Sequence, residues 1–420
     1  MDSPNPTTVT RRQALRAFGL TGITAMLAAC SQAPATSPTA APAAKPTSAP
    51  AAPAPTSAPV AAAPTTAPAV AAAKPSVPGA VSDAEWNSIV EAARKEGTLS
   101  LATYAGTSHR NISAAFEAAY PGIKVEHQQF QSSSRDYVPR LLQEQKAGLY
   151  TWDVAHMPVQ EMTRQVRPAG GTEPVRPNIV TAEALDDKGW LDSYEKGYPD
   201  DDKKWGYALT RQRYKGVWIN TDLVKEGEIT RFDDLLDPKW KGKILLGDPR
   251  TKGSGFLCFT AIRVKRGDAA MTTIIKDLEA ASGLDARQNV EQMIRGRYAW
   301  GIGAVDFPIL KDFLAQGLGQ NLMNVPMVET DNVNAGNRTM WYIKNAPHPN
   351  AAKVYMNWHL TREAGLITSQ QVEENSRRAD VPVFDESTAL QKGLDYVFVD
   401  SEAMLDEIEK TQALAKTLIN

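Results

Sequence analysis

Residues 98–130 read TLSLATYAGTSHRNISAAFEAAYPGIKVEHQQF. Thr98 to Tyr104 predicts a buried strand that ends in a Gly-Thr-Ser loop, because β-branched and apolar residues fill a short run before a turn signal. Asn111 to Tyr120 carries apolar residues at helical spacing, and Ile123 to Phe130 predicts a second strand. A strand, a helix and a strand in this order indicate an α/β fold with a mostly parallel sheet.

The same alternation continues on both sides of this stretch. Further strands are predicted at Trp152–Met157, Lys243–Leu246 and Tyr298–Val305, and further helices at Ser82–Lys95, Ser132–Lys146, Gly253–Val264, Val290–Gly296 and Ala351–Leu360. No motif repeats at a period of about 20–50 residues, which argues against solenoids and propellers. About 340 residues follow the first 81, more than one hydrophobic core usually holds, so two lobes are expected.

Composition and charge exclude several classes of protein. The chain has 420 residues, of which 42% are hydrophobic and 22% charged, with a formal net charge of −2. The first thirty residues contain Arg11, Arg12 and Arg16 against Asp2, so the remainder carries −4. This mildly acidic balance gives no indication of a nucleic-acid partner.

The N-terminal region is predicted to contain an export signal and a linker to a membrane anchor. The pair Arg11-Arg12 precedes the short apolar segment Ala17–Ala29 and resembles a twin-arginine export signal. Leu27-Ala28-Ala29-Cys30 resembles a lipobox, which implies acylation of Cys30 and a lipid anchor in the membrane. Residues 1–30 are therefore predicted to be a signal peptide, and the Ala-, Pro-, Ser- and Thr-rich residues 31–81 a disordered linker.

The cysteines and histidines of the sequence provide little evidence for a disulfide or a metal site. The chain has two cysteines, and a disulfide between Cys30 and Cys258 would gain little because it would tie a disordered tail to the core. Cys258 lies in an apolar run and is predicted to be a small buried residue. Two lone cysteines are too few for structural zinc, and His109 and His156 are read as incidental polar residues, so neither a metal site nor a cofactor is expected.

Four ordered motifs resemble segments of one protein family. They are Tyr214–Val224 (YKGVWINTDLV), Phe232–Lys243 (FDDLLDPKWKGK), Gly247-Asp248-Pro249-Arg250 with Gly253-Ser254-Gly255, and Ala346–Lys353 (APHPNAAK) with Asn357-Trp358. The chain resembles the extracellular solute-binding proteins (family 1) of bacterial ABC importers, and above all their ferric-iron-binding branch. The resemblance covers nearly all of Gly97 to Phe384.

The resemblance implies a type II periplasmic-binding-protein clamp, in which two α/β lobes are joined by two interlobe crossings. The crossings are expected near Ala208–Tyr214 and Val325–Asp331, so lobe 1 takes residues 82–209 and 331–420 and lobe 2 takes 210–330. Such a monomer captures a small solute in its cleft and delivers it to the permease subunits of an ABC importer. It works in the periplasm or at the cell surface and is not an enzyme.

Candidate ligand residues are those that follow the carboxyl ends of strands, where helix N-termini offer free backbone N–H groups to anions. These residues are Tyr104 and Thr107 in the first loop, Ser132, Ser133 and Ser134 in the second, Arg250, Ser254 and Gly255 in the third, and Gln288 in the fourth. Arg211 and Arg250 are the preferred bidentate clamp for a carboxylate or phosphate, with Arg213 and Arg287 as alternatives. Tyr214 and Asp306 complete the set.

The expected solute is a small organic or oxyanion-type ligand, with ferric iron second. Ferric-binding relatives carry adjacent tyrosines where this chain has Ala304-Val305-Asp306-Phe307, and a hard ferric ion needs anionic oxygen donors. An exported hydrolase or lyase remains the alternative of another class. The sequence contains no His-Glu-x-x-His, Gly-x-Ser-x-Gly or Walker motif, although carboxylate dyads leave no local signature. A sensor lobe that feeds a signalling receptor is a third possibility.

Overall fold

The computed structural model describes residues 77–335 and 338–419, which belong to one compact unit that begins at residue 71. The predicted signal peptide, the acylation site Cys30 and nearly all of the predicted linker lie outside the described residues. Within the described part of the chain, no helix is long and apolar enough to cross a membrane.

Strands and helices alternate along the described chain. The strands are β1 (Thr98–Tyr104), β2 (Lys124–Phe130), β3 (Val154–His156), β4 (Thr172–Glu173), β5 (Gly206–Ala208), β6 (Gln212–Tyr214), β7 (Val217–Asn220), β8 (Ile244–Gly247), β9 (Ala281–Gly283), β10 (Trp300–Ile302), β11 (Leu322–Val325), β12 (Asn332–Asn334), β13 (Thr339–Ile343) and β14 (Val397–Phe398). The helices of two turns or more are α1 (Asp83–Glu96), α2 (Thr107–Ala119), α3 (Val138–Lys146), α4 (Ser254–Thr272), α5 (Ala286–Ile294), α6 (Phe307–Leu314), α7 (Pro349–His359), α8 (Arg362–Val372) and α9 (Leu405–Leu418).

The first sheet has the order β2-β1-β3-β13-β4, with β5 also paired to β13. Strands β2, β1 and β3 are parallel, whereas β13 runs antiparallel to β3, β4 and β5. Helices α1, α2, α7 and α8 pack around this sheet, and together they form the first lobe. Its core includes Leu99, Phe116 and Tyr355.

The second sheet has the order β11-β7-β10-β8-β9. The pairs β10–β8 and β8–β9 are parallel, but β7 is antiparallel to both β10 and β11. With helices α4, α5 and α6 it forms the second lobe, whose core contains Phe259, Ile262 and Trp300. In each sheet only one strand of the described chain, β13 or β7, runs opposite to the others, because the chain returns from a crossing on that strand. The other strands run in the same direction, as the prediction of a mostly parallel sheet requires.

A small third sheet, β14-β12-β6, joins the lobes, and we call it the hinge sheet. Strand β6 carries the chain into the second lobe and β12 carries it back, paired antiparallel with Asn332 opposite Tyr214. The predicted crossings fall at or next to these strands.

The structure adds a third crossing that the sequence did not predict. Strand β14 pairs in parallel with β12, and α9 then packs on α4 of the second lobe. Leu405 and Ile408 contact Phe256 there, and burial of these apolar side chains explains why the chain does not end on the first lobe. The sequence-based division placed all of 331–420 with the first lobe, whereas α9 lies on the second.

The local signals at the ends of the first helix act as the sequence indicates. The Ser82 hydroxyl accepts the N–H of Glu85 at 3.2 Å, and Gly97 ends α1 in the left-handed conformation at φ 71°. Elsewhere the boundaries shift. The predicted helix Ser132–Lys146 begins with a π-turn at Ser133–Tyr137, and α4 runs past Val264 to Thr272 across a kink at Gly267. Cys258 is buried in this helix, as predicted.

Candidate functional site

A groove formed by three adjoining cavities lies between the two lobes. The hinge cavity has a volume of about 830 Å³, the second-lobe cavity about 370 Å³ and the first-lobe cavity about 270 Å³. Tyr214, Asp306 and Asn334 line both the hinge and second-lobe cavities, and Lys252 and Leu257 line both the second-lobe and first-lobe cavities. These shared walls make the three cavities one continuous groove.

Lys215 lies in the wall of the hinge cavity, immediately after β6. Its Nζ donates to Ser387 Oγ at 2.6 Å and lies 3.3 Å from the centroid of the Phe307 ring. Burial lowers the pKa of Lys215 to about 8, although Asp385 acts in the opposite direction. The cavity is therefore lined by an amine that gains or loses its charge within the ordinary pH range.

Two carboxylates of the hinge cavity are placed by helix ends. Asp306 follows β10 and caps α6, where its Oδ1 accepts the N–H of Ile309 at 3.1 Å. Glu373 ends α8 of the first lobe, and Lys311 of α6 reaches it with Nζ at 2.9 Å. The Lys311–Glu373 ion pair thus links the two lobes across the groove.

The two crossing strands are fixed to each other by a buried ion pair between Arg213 and Asp331. Asp331 also accepts the N–H of Gly216 at 2.8 Å and that of Met327 at 3.2 Å. Burial raises the pKa of Asp331, and the Arg213 charge opposes that rise. A Cβ on Gly216 would lie 2.5 Å from the carbonyl oxygen of Thr330, so the strands are also in close backbone contact. Arg213, an alternative clamp residue in the sequence analysis, is thereby a hinge residue.

The second-lobe cavity is entered by the N-terminus of α4, whose N-cap Gly253 provides no side-chain hydrogen bond. Ser254 Oγ donates to the carbonyl of Gly303 at 2.5 Å, and a Cβ on Gly255 would lie 2.0 Å from the carbonyl of Gly247. Only glycine fits at position 255. Burial raises the pKa of Tyr214, whose ring forms the wall beside this helix end.

The first-lobe cavity brings together Tyr104 and the serine run predicted from the sequence. Tyr104 Oη donates to Ser133 Oγ at 3.0 Å and accepts the N–H of Ser133 at 3.2 Å. Ser132 caps the π-turn through the N–H of Arg135 at 3.2 Å. Ser134 lines the same cavity. An ion pair between Lys252 of the second lobe and Glu161 of the first lies in its wall.

Four predicted site residues do not line the groove. Thr107 is exposed at the start of α2, and Gln288 is exposed in the first turn of α5. Arg250 forms an ion pair with Asp248 at 2.8 Å; burial raises the pKa of Asp248, but the bonds from Arg250 outweigh it and hold that pKa below its usual value. Arg211 is paired with Asp192 and lines a different cavity, behind the hinge sheet. The predicted clamp of Arg211 and Arg250 is therefore not assembled in the groove.

Sequence reasoning missed the residues that close the groove from two lobes at once. Lys215 lies inside the quoted motif Tyr214–Val224 and could have been found there, as a charged residue directly before the run Gly216–Ile219, which contains no charged residue. The pairs Lys311–Glu373 and Lys252–Glu161 join positions that are 62 and 91 residues apart, and no local pattern marks them.

A comparison of the sequence with known protein families decides the class of this protein. Residues 102–365, which are more than half of the chain, match the sequence profile described as bacterial extracellular solute-binding protein. The chain belongs to this family. This solute-binding protein thus works outside the cytoplasmic membrane, at the cell surface or in the periplasm, with a small solute and the permease subunits of an ABC transporter as its partners. No curated protein is significantly similar to it in sequence.

Solved structures share the fold of this solute-binding protein. An ABC transporter protein from Clostridium perfringens superposes with a TM-score of 0.59 at 14% identity, covering 77% of this chain and 100% of that one. A Trichodesmium protein solved with iron and citrate ligands gives 0.58 at 15% identity, covering 77% and 99%. The Bordetella ferric binding protein gives 0.58 at 18% identity, covering 76% and 98%. The predicted α/β periplasmic-binding-protein fold is thus confirmed, and the family and these neighbours are transport proteins rather than enzymes.

Proposed function

We propose that this solute-binding protein captures a small organic anion that also carries a hydroxyl or amino group. The supporting observation is the N-terminus of α4, which enters the groove with no side-chain cap, next to Tyr214 and Lys252. Free N–H groups and the helix dipole favour a carboxylate or another oxyanion at such an end. Asp306 lines the same cavity and can accept a hydrogen bond from a hydroxyl or ammonium group of the solute.

Ferric iron is the second candidate. Tyr104, Tyr214 and Asp306 supply oxygen atoms along the groove, and two of the structural neighbours described above are named for iron. Against it, residues 304–307 hold no tyrosine, and burial that raises the pKa of Tyr214 disfavours the phenolate that ferric iron requires.

Solute uptake is proposed to work by closure of the hinge sheet. Residues 82–209 and 331–404 would move as one body against residues 210–330, to which α9 is attached. The pairs Lys311–Glu373 and Lys252–Glu161 already join the two lobes and would hold the closed form, so the importer would recognise one shape of the occupied protein. The protein would act as a monomer, exported by the twin-arginine route and anchored through Cys30.

The test begins with the solute itself. Protein purified without denaturation should release a small organic anion that mass spectrometry can identify. Calorimetry with that compound should show binding at least about tenfold weaker in Asp306→Asn, because loss of one desolvated partner typically costs about 2–5 kcal/mol. Asparagine still caps α6, so the fold should be retained.

The matched control is Asp312→Asn, an exposed position of α6 that lines none of the three groove cavities. It should bind the solute as the wild type does. Equal binding by Asp306→Asn and wild type would contradict the proposed contact. An intense visible band on adding chelated ferric iron would put iron first, and conversion of the solute to a product would favour a hydrolase or lyase.

A further inference from the structure

Behind the hinge sheet lies a further cavity of about 570 Å³, which we call the rear cavity. It is lined by Leu191, Asp192, Arg211, Val333 and parts of the segment 375–396. Arg211 and Val333 face this cavity, whereas their chain neighbours Gln212 and Asn334 line the hinge cavity. The rear cavity and the groove therefore share the two crossing strands as part of their walls.

Arg211 provides the polar end of the rear cavity. Its Nη1 donates to Asp192, and its Nε has no hydrogen-bond partner among the described residues. The guanidinium also lies 5.3 Å from the centroid of the Phe398 ring. Burial lowers the pKa of Arg211, and the nearby Arg377 charge acts in the same direction. Tyr396 Oη is a second buried polar atom on this cavity without a partner in the described residues.

Charge at the rear cavity favours an anion. Arg378 of the wall is balanced by Asp380, and Asp395 is balanced by Lys265. Lys392, an exposed residue at the rim, has no acidic partner among the described residues. Arg377 is fully buried beneath, over the rings of Trp190 and Tyr207, and no carboxylate in the described chain is paired with it. The surroundings therefore hold more positive than negative charge.

The remainder of the wall is apolar. Leu191, Val383 and Leu394 at the cavity are 50%, 47% and 45% exposed, which is high for side chains of their size. A volume of about 570 Å³ falls within the usual range of about 300–1,000 Å³ for small-molecule sites. An apolar wall with one cationic end suits a molecule that has an apolar body and one anionic head.

We propose that the rear cavity binds an amphipathic carboxylate, with the head at Arg211 and the apolar body against Leu191, Val383 and Leu394. This site is distinct from the groove, and its occupant is distinct from the transported solute. Since its wall includes the residue before β6 and one residue of β12, an occupant would alter the free-energy difference between open and closed lobes. That second effect rests on the proposed function of the groove, whereas the binding itself does not.

The test uses decanoate as the probe, titrated below its micelle concentration and followed by calorimetry. We expect saturable binding to the wild type. Binding to Leu394→Asp should be at least about tenfold weaker, because the new carboxylate repels the head group and the substitution removes apolar contact. Leu318→Asp is the matched control, since Leu318 is 48% exposed and does not line the rear cavity. Arg211→Met should also weaken binding, and decyltrimethylammonium, which has the same body and a cationic head, should bind less well than decanoate.

Three results would overturn the proposal. The first is absence of saturable decanoate binding, and the second is equal binding of the cationic probe. The third is undiminished decanoate binding by Leu394→Asp, which would place the probe outside the rear cavity. Failure of the groove proposal would leave the decanoate result intact, so the two proposals are tested separately.

Discussion

Four of the five histidines of the chain lie together inside the first lobe, whereas residues 210–330, which include the second sheet, contain none. The His109 ring lies 6.3 Å from both His127 and His156, and His156 lies 4.9 Å from His359, measured between ring centroids. The core of the second lobe is built instead from aliphatic and aromatic side chains and the thiol of Cys258. Two lobes of similar α/β architecture thus have interiors of different chemistry.

The histidines in the interior of the first lobe form hydrogen bonds with neighbouring side chains. Arg338 Nη1 lies 3.1 Å from His109 Nε2, and the His359 ring lies 2.9 Å from Thr368 Oγ1. Burial, followed by the Arg338 charge, lowers the pKa of His109 to about 3. Burial similarly lowers the pKa of His127 to about 4 and that of His359 to about 3. The stability of the first lobe should therefore fall between pH 7 and pH 5, the range in which histidines titrate and for which residues 210–330 contain no histidine.

The largest expected effect is loss of stability in acid. A histidine whose folded pKa is lowered stays neutral in the native state but takes up a proton in the unfolded state below about pH 6.5, so stability falls with pH from about 6.5 toward the folded pKa. Between pH 7 and 5 each fully buried histidine should remove up to about 2 kcal/mol from the free energy of unfolding, and the partly exposed His127 less. Urea unfolding at several pH values measures this.

Other groups modify the acid effect without reversing it. Burial raises the pKa of Glu374, which hydrogen-bonds with Thr210 in the first lobe, so protonation of Glu374 offsets part of the loss. His127→Gln should reduce the pH slope by up to about one proton, since it removes one of the titrating rings. If the free energy of unfolding of this variant depended on pH as that of the wild type does, the role given to the histidines of the first lobe would be contradicted.

Phe259→Ala should have the next largest effect, and it should be independent of pH. Phe259 is fully buried in the second lobe, and loss of a buried phenylalanine side chain costs about 3–5 kcal/mol through lost burial and the cavity left behind. The difference in unfolding free energy from wild type should be the same at pH 7 and pH 5. A difference that changed with pH would show that the two interiors are not chemically separate.

The smallest effect concerns the link between the lobes. Lys311→Met removes the ion pair with Glu373, whose partners are 47% and 61% exposed, and exposed pairs contribute about 0–1 kcal/mol. The melting temperature of the empty protein should stay nearly unchanged. Lys241→Met, which removes the ion pair with Glu279 inside the second lobe, is the control for loss of a surface charge, because the partners of that pair are 55% and 64% exposed. A large destabilisation by Lys311→Met alone would mean that the lobes unfold as one unit.

Sequence signals that act over a few residues predicted much of the fold. The features that the sequence did not predict depend on contacts between residues that are distant in sequence. Thr98–Tyr104 forms β1 with the predicted bounds, and Ser82 and Gly97 delimit α1, because caps and short apolar runs act over a few residues. Strand β14 is only two residues long and pairs with β12, so no periodic pattern in the sequence could predict the third crossing.

The residues of the candidate site also differ in whether local sequence could predict them. Tyr104, Ser132–Ser134 and Ser254-Gly255 were predicted from their place after a strand, and they line the groove. Arg211 and Arg250 were preferred as the clamp because of their charge, and the charge did not reveal that Asp192 and Asp248 already pair with them. Where a side chain points depends on neighbours that lie far off in the sequence.

The third crossing has a practical consequence for measuring motion. Val81 hydrogen-bonds to Val180 on the first lobe at 2.9 Å, whereas Ile419 packs against the core of the second. Val81 and Ile419, near the two ends of the described chain, are thereby attached to different lobes. A donor fluorophore at position 83 and an acceptor at position 419 would convert lobe movement directly into an energy-transfer signal, with no label near the groove. The same two positions would turn the protein into a sensor for whatever solute it holds.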